Sequence, residues 1–257
     1  MPLPDMICSP AHPTDKKMTE NTNQQEILSP INAIVAIFIE PARAMRSVLV
    51  RPVAWLPLAL VILFSVALFV WYYQIVDFPW LQEKITATIS DPAARAQAQG
   101  VLSKNLMMIS SVGSIIVVVP LIYAIYALYY FVVAKIKNLQ IGYGKWYAFV
   151  CWTSMPALLT LPLGAIQILM AQAGHLDINQ LNPVSLNSLF FHLESGRHWA
   201  SLLDSISLIT VWTVVLSVIG FQAWSKMSRA ASVLVVLLPT VLIYGAWAGI
   251  ALMSKAA

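Results

Sequence analysis

Of 257 residues, 59% are hydrophobic and only 10% charged, against roughly 25% charged in an average soluble domain. Too little polar surface remains for a water-facing fold, so the bilayer must be most of the solvent. The excess of 15 Lys and Arg over 11 Asp and Glu does not point to nucleic acid, because the cations stand in ones and twos beside apolar runs and form no stripe.

Residues 1–25 mix Pro, Thr, Asn and acids without an apolar central stretch. They read as a disordered polar tail, not a secretory signal, ahead of a single membrane domain over 26–257. Met1 and Met18 are both open as the start. Cys8 lies in this tail and Cys151 in an apolar run, so the pair makes neither a disulfide framework nor a metal-ligand spacing.

The segment "INAIVAIFIEPARAMRSVLVRP" opens with a nine-residue apolar run, too short to cross a bilayer and stopped by Glu40 and Pro41. After Pro41, helical spacing puts Met45, Val48 and Leu49 on one face and Arg43, Arg46 and Ser47 on the other. That is the pattern of an interfacial helix. Arg43, Arg46 and Arg51 fit two roles, contact with anionic lipid and fixing of topology.

Five charge-free segments follow, at 55–76, 107–133, 147–171, 205–224 and 230–253. Each reaches the roughly 20 residues a helix needs to cross about 30 Å of hydrocarbon. A barrel strand would alternate over about ten residues, and these runs are apolar throughout. Between the first two, "DPAARAQAQGVLSKN" predicts a helix with Asp91 as N-cap and Pro92 at its first position, leading directly into the second span. "GYGK", residues 142–145, lacks phosphate-loop spacing and is followed by Trp146 where Ser or Thr would stand, so it reads as a turn. Pro120, Pro156, Pro162 and Pro239 lie inside spans; Pro156 with Pro162 marks the third as the one to break or hinge.

The loop before the fourth span carries "QLNPVSLNSLFF", residues 180–191. Asn182 as cap, Pro183 at a first helical position, and Val184, Leu186, Leu189 and Phe190 at near-helical spacing predict a short amphipathic helix. It would rest on the outer leaflet or cap the bundle's mouth, with Ser185, Asn187 and Ser188 supplying hydrogen bonds. In the fourth span Ser207, Thr210, Thr213 and Ser217 fall within an arc of about 120°, fit for interhelical hydrogen bonds or for lining a polar path. In the fifth, Gly245 and Gly249 have GxxxG spacing, which permits close approach by a helix of this chain or of a second copy.

Orientation follows from the cations. With the N-terminus in the cytoplasm, ten of the fifteen fall inside: Lys16, Lys17, Arg43, Arg46, Arg51, Lys135, Lys137, Lys145, Lys226 and Arg229. The outer segments then hold Asp77, Glu83, Asp91, Asp177, Glu194 and Asp204. Trp55, Trp71, Trp80, Trp146, Trp199 and Trp224 stand at span ends, the headgroup level that indole rings prefer, while Trp152, Trp212 and Trp247 fall within spans and pack in the bundle or against lipid.

Reactive groups are scarce. No span holds an acid, and His12, His175, His192 and His198 all lie outside them, which disfavours aspartyl or serine intramembrane proteolysis and ion-coupled transport. "HLESGRH", residues 192–198, offers two imidazoles and Glu194 without a zinc-protease spacing.

Four segments together, "IFIEPARAM", "GYGKWYAFVCWTSMPALL", "LNPVSLNSLFF" and "VWTVVLSVIGFQAWSK", resemble the bacterial branch of the Yip family of five-span membrane proteins, over about Asn32 to Trp247. The resemblance implies a cytoplasmic N-terminus, five helices and no catalytic residues; the traffic role of eukaryotic relatives, which bind prenylated small GTPases, is not carried over. Asn182, Pro183, Ser185 and Asn187 are its outer-loop motif here.

The expectation is therefore an all-α polytopic membrane bundle in a bacterial inner membrane, with five transmembrane helices, a cytoplasmic interfacial helix and short outer-face helices. Its C-terminus would be periplasmic. It would act without a cofactor, not as an enzyme, organising lipids, other membrane proteins or a second copy, with no nucleic acid partner. The alternatives are a small-solute conduit or lipid mover built on the hydroxyl stripe, and an outer-face metal-dependent enzyme around Asp177, His192, Glu194, His198 and Asp204.

Overall fold

The structure, a computed structural model, describes residues 27–194 and 199–253. The expected tail, and His198 of the "HLESGRH" segment, lie outside the described residues. Eleven α-helices are present among those described.

Two short helices come first, α1 (Pro30–Ile39) and α2 (Pro41–Val50). Ser29 caps α1 by accepting from the Asn32 amide, and a proline opens each helix, where its missing N–H costs nothing. Then come α3 (Trp55–Ile75), α4 (Phe78–Thr86), α5 (Pro92–Val101) and α6 (Lys104–Ile136). The Asp91 cap is present, accepting from the Ala93 and Ala94 amides. α5 does not run directly into the next span, because Leu102 and Ser103 leave the helix and Ser103 caps α6 afresh.

The third span is α7 (Tyr143–Thr153), a 3-10 turn (Met155–Leu159) and α8 (Thr160–Met170). The break falls where Pro156 withholds the amide that the Trp152 carbonyl would accept. After α9 (Ala200–Ser205), the last spans are α10 (Leu208–Ser225) and α11 (Arg229–Met253). Five units are long and apolar enough to cross a membrane: α3, α6, α7 to α8, α10 and α11. α6 has 33 residues, about 50 Å of rise, and so overruns a hydrocarbon layer of about 30 Å. α10 starts three residues later than the expected 205, because Ser207 is its cap.

The span order gives the bundle a basic end, with Arg51, Lys137, Lys145 and Lys226, and an acidic end, with Asp77, Asp91, Asp177 and Asp204. Near the basic end a core gathers Met45, Tyr130, Trp146, Phe149, Phe221 and Trp224. Near the acidic end a second gathers Leu68, Tyr72, Tyr73, Leu81, Ile168 and Leu181.

The α1–α2 pair departs from a helix lying on the surface. Ala44, Met45, Ser47 and Val48 of α2 are buried against α10 and α7. Gly220 of α10 makes the room: a Cβ there would lie 2.8 Å from Met45 Cε. The Leu28 amide donates to Ser47 Oγ at 3.1 Å, closing the pair. What remains outward is the α1 stripe Ile31, Val35 and Ile39, 60 to 73% exposed.

Two tryptophans expected at headgroup level are likewise core residues, Trp146 fully buried and Trp224 nearly so. Trp152 packs inside as expected, its Nε1 donating to the Val53 carbonyl at 2.8 Å. Trp55 and Trp212 are exposed.

Candidate functional site

A cleft of about 180 Å3 lies among α6, α7, α10 and α11. Tyr123, Tyr126 and Tyr130 of α6 face it at helical spacing, with Thr153 and Ser154 at the end of α7, Thr210, Thr213 and Ser217 of α10, and Thr240 and Tyr244 of α11. All belong to the interior of spans, and no charged side chain is among the lining residues. α11 leans on α10 and packs only lightly on α6, where Tyr129 donates to the Val235 carbonyl at 2.6 Å. Ile122, which lines the cleft, is exposed on the α6 surface, so the space opens sideways between α6 and α11.

Five of its ten hydroxyls are committed as donors. Ser154 donates to the Val150 carbonyl at 2.8 Å, Thr153 to the same oxygen at 3.2 Å, and Ser217 to the Thr213 carbonyl at 2.8 Å. Thr210 and Tyr244 both donate to the Ser205 carbonyl, each at 3.3 Å. Thr153, Ser154 and Ser217 are thus satisfied by the preceding turn of their own span, Thr210 and Tyr244 by the end of α9, and each of the five is left with only lone pairs for a guest.

Thr210, Thr213 and Ser217 of the expected stripe thus share one space. Ser207 does not: its Oγ accepts from the Thr210 amide at 3.2 Å and caps α10. The tyrosines were missed in the sequence, although positions 123, 126 and 130 repeat at i, i+3 and i+7 within one apolar run.

A second, polar basin of about 410 Å3 lies at the acidic end, lined by Lys84, Asp177, Asn187, His192, Glu194 and Asp204 among others. Asp177 opens the Ile178–Leu181 turn in a reciprocal capping arrangement with Gln180, and Lys84 Nζ stands 3.9 Å from its Oδ2. Burial raises the Asp204 carboxyl above the usual range, opposed by hydrogen bonds from Asn187 and Ser185. Asp177, His192, Glu194 and Asp204 do converge on one basin. Among the described residues, however, no three His, Cys, Asp or Glu side chains are grouped to hold a metal. Basin and cleft share no lining residue.

The 180–191 loop differs from its expected form. Asn182 is not a helix cap; it starts a turn in which the Ser185 amide donates to its carbonyl at 3.1 Å, and its Oδ1 is buried without a hydrogen-bond partner. Pro183 sits in that turn. Ser185 then pairs with Ser207 in an isolated bridge, with the Leu186 amide on the Ile206 carbonyl at 2.7 Å. Only afterwards does one helical turn of π type form, Asn187–Phe191. Asn187 clamps Leu193 from both sides, donating to its carbonyl at 3.1 Å and accepting from its amide at 2.8 Å. The bridge to the start of α10 competes with a longer helix and wins.

Gly245 and Gly249 form an open face: a Cβ on either would meet nothing within 4 Å. Arg43 pairs with Glu40 at 3.3 Å, while Arg46 and Arg51 are exposed.

Five apolar spans, a proline-broken third span and a hydroxyl-lined cleft between helices define a multi-pass helical membrane protein. The Yip1 domain family model matches residues 35–250, and the chain belongs to that family. No curated protein and no solved structure matches it.

Proposed function

We propose that this protein organises its membrane without catalysing a reaction, holding lipids and neighbouring membrane proteins or a second copy laterally. The cleft between α6 and α11 carries the reading, because it offers polar groups to something that arrives from within the bilayer. A bacterial inner membrane, a cytoplasmic N-terminus and a periplasmic C-terminus fit the cation asymmetry; the basic end, with exposed Arg46 and Arg51, then faces the anionic inner leaflet, where each cation contributes about 1 kcal/mol.

Photocrosslinking in native membranes from positions 46, 126 and 249 tests this. Adducts enriched in particular lipids or membrane proteins are expected. Adducts matching bulk composition at all three positions overturn it.

Lipid movement is the second reading, favoured by the sideways opening of the cleft. Reconstituted vesicles should then flip a labelled lipid, and replacing Thr210, Thr213 and Ser217 with Ala should slow it. Absence of flip by the intact protein removes this reading.

A further inference from the structure

We infer that the cleft between α6 and α11 binds the headgroup of an uncharged lipid carrying a hydroxyl, of the diacylglycerol kind. The inference rests on the lipid-organising reading and gives it a ligand class.

Three observations select that class. The entrance faces lipid beside the exposed Ile122, so the ligand comes from the bilayer and keeps its acyl chains there. No Lys, Arg or other charged side chain lines the space, and a phosphate left unpaired in such surroundings is strongly disfavoured. Finally, five lining hydroxyls already give their protons to backbone carbonyls, those of Thr153, Ser154, Thr210, Ser217 and Tyr244.

These five offer a guest only acceptors, which an alcohol can answer with its own proton and an ester or quinone carbonyl cannot. Tyr126 and Thr240 hydroxyls also line the cleft and make no hydrogen bond among the described residues. Both residues are half-buried, one on α6 and one on α11. A glycerol hydroxyl between them can donate to one and accept from the other, bridging the two helices that otherwise touch lightly.

The test is photolabelling of the purified full chain in phosphatidylglycerol nanodiscs with a diacylglycerol bearing a diazirine on one acyl chain. Labelling is expected on peptides containing Tyr126 or Thr240. Dioleoylglycerol should compete about five-fold better than its O-methyl ether, the ratio one hydrogen bond gives, and better than dioleoyl phosphatidic acid. Tyr126→Phe with Thr240→Val should lower labelling by a similar factor at unchanged melting temperature, while Leu242→Ala on the outward face of α11 leaves it alone. Equal competition by the ether or phosphatidic acid overturns the inference, and so does undiminished labelling of the double variant. If that variant does not fold, the competitor series on the unaltered protein decides. Failure here with specific adducts in the membrane crosslinking leaves the organising reading standing; failure of both removes both.

Discussion

The Trp224 indole donates its Nε1–H to the backbone carbonyl of Met45 at 2.7 Å, joining positions 179 apart in the chain. With Gly220 one turn earlier on α10 receiving the Met45 side chain, this bond makes α2 a structural member of the bundle. Trp224→Phe removes this bond and should cost about 0.5–1.5 kcal/mol.

Gly220→Ala should cost about 1–3 kcal/mol, since its Cβ would lie 2.8 Å from Met45 Cε and 2.9 Å from Phe149 Cε2. Met45→Ala removes one of the two obstacles, so the double variant should be less destabilised than the sum. Unfolding in detergent, followed by tryptophan fluorescence, measures all three. Additive losses would show that Met45 does not fill the Gly220 notch.

At the acidic end the tightest constraint is a backbone contact. Gly174 has φ +73°, and a Cβ there would lie 2.6 Å from the Ile75 carbonyl oxygen and 2.8 Å from the Asp77 amide nitrogen, while the Asp77 amide donates to the Gly174 carbonyl at 3.0 Å. Backbone cannot yield as a side-chain end can, so Gly174→Ala should cost about 2–3 kcal/mol. The neighbouring His175 stacks on Trp80 with ring centres 5.0 Å apart and stands 3.3 Å from Asp77 Oδ2. Both members of that pair are well exposed, so His175→Ala should cost no more than about 1 kcal/mol. Thermal unfolding of the two variants side by side checks the ranking.

The contrast between these sites shows where sequence reading reached its limit. Spans, the Asp91 cap and the break at Pro156 rest on local signals, charge-free length, a side-chain acceptor beside free amides, and a missing N–H. The docking of Met45 on Gly220 has no local signal. Spans apolar all round also carry no 3.6-residue contrast to separate a lipid face from a protein face, which is why Trp146 and Trp224 were expected at the headgroups. The tyrosines of α6 were legible as a helical series, but their convergence with Thr240 and Tyr244 depends on how α11 leans on α10. In the 180–191 loop the local pattern lost to pairing with Ile206 and Leu208, again a partner distant in sequence.

Asp204 gives a pH dependence whose sign is fixed by burial, which raises its carboxyl in the folded state. A raised folded pKa means that the fold holds the proton more tightly than the unfolded chain. The stabilising contribution is complete below the unfolded value of about 3.9 and is lost as pH rises through the folded value. Asp204→Asn should therefore raise the melting temperature at neutral pH, keep the hydrogen bonds with Asn187 and Ser185, and leave the melting temperature near pH 3.5 almost unchanged. Melting curves across pH 3.5–7.5 test this. A variant less stable than the parent at pH 7 would show that ionised Asp204 is held by a favourable partner.

Gly245 and Gly249 separate packing within the chain from packing between chains. Because a Cβ on either meets nothing within 4 Å, Gly245→Ala and Gly249→Ala should leave folding within about 0.5 kcal/mol of the parent, and the greater helix propensity of alanine acts in the stabilising direction. Gly164 on α8 is the internal control, since a Cβ there would lie 2.8 Å from Leu68 Cδ1 and should cost about 1–3 kcal/mol. If the open face of α11 serves a second copy, Gly249→Leu blocks close approach and lowers self-association in the membrane while the monomer melts as before. Energy transfer between labelled copies in vesicles reads that loss directly, at fixed protein-to-lipid ratio. Unchanged transfer in Gly249→Leu assigns the face to lipid or to a different protein, and a lowered melting temperature would mean that a helix of this chain covers the face after all.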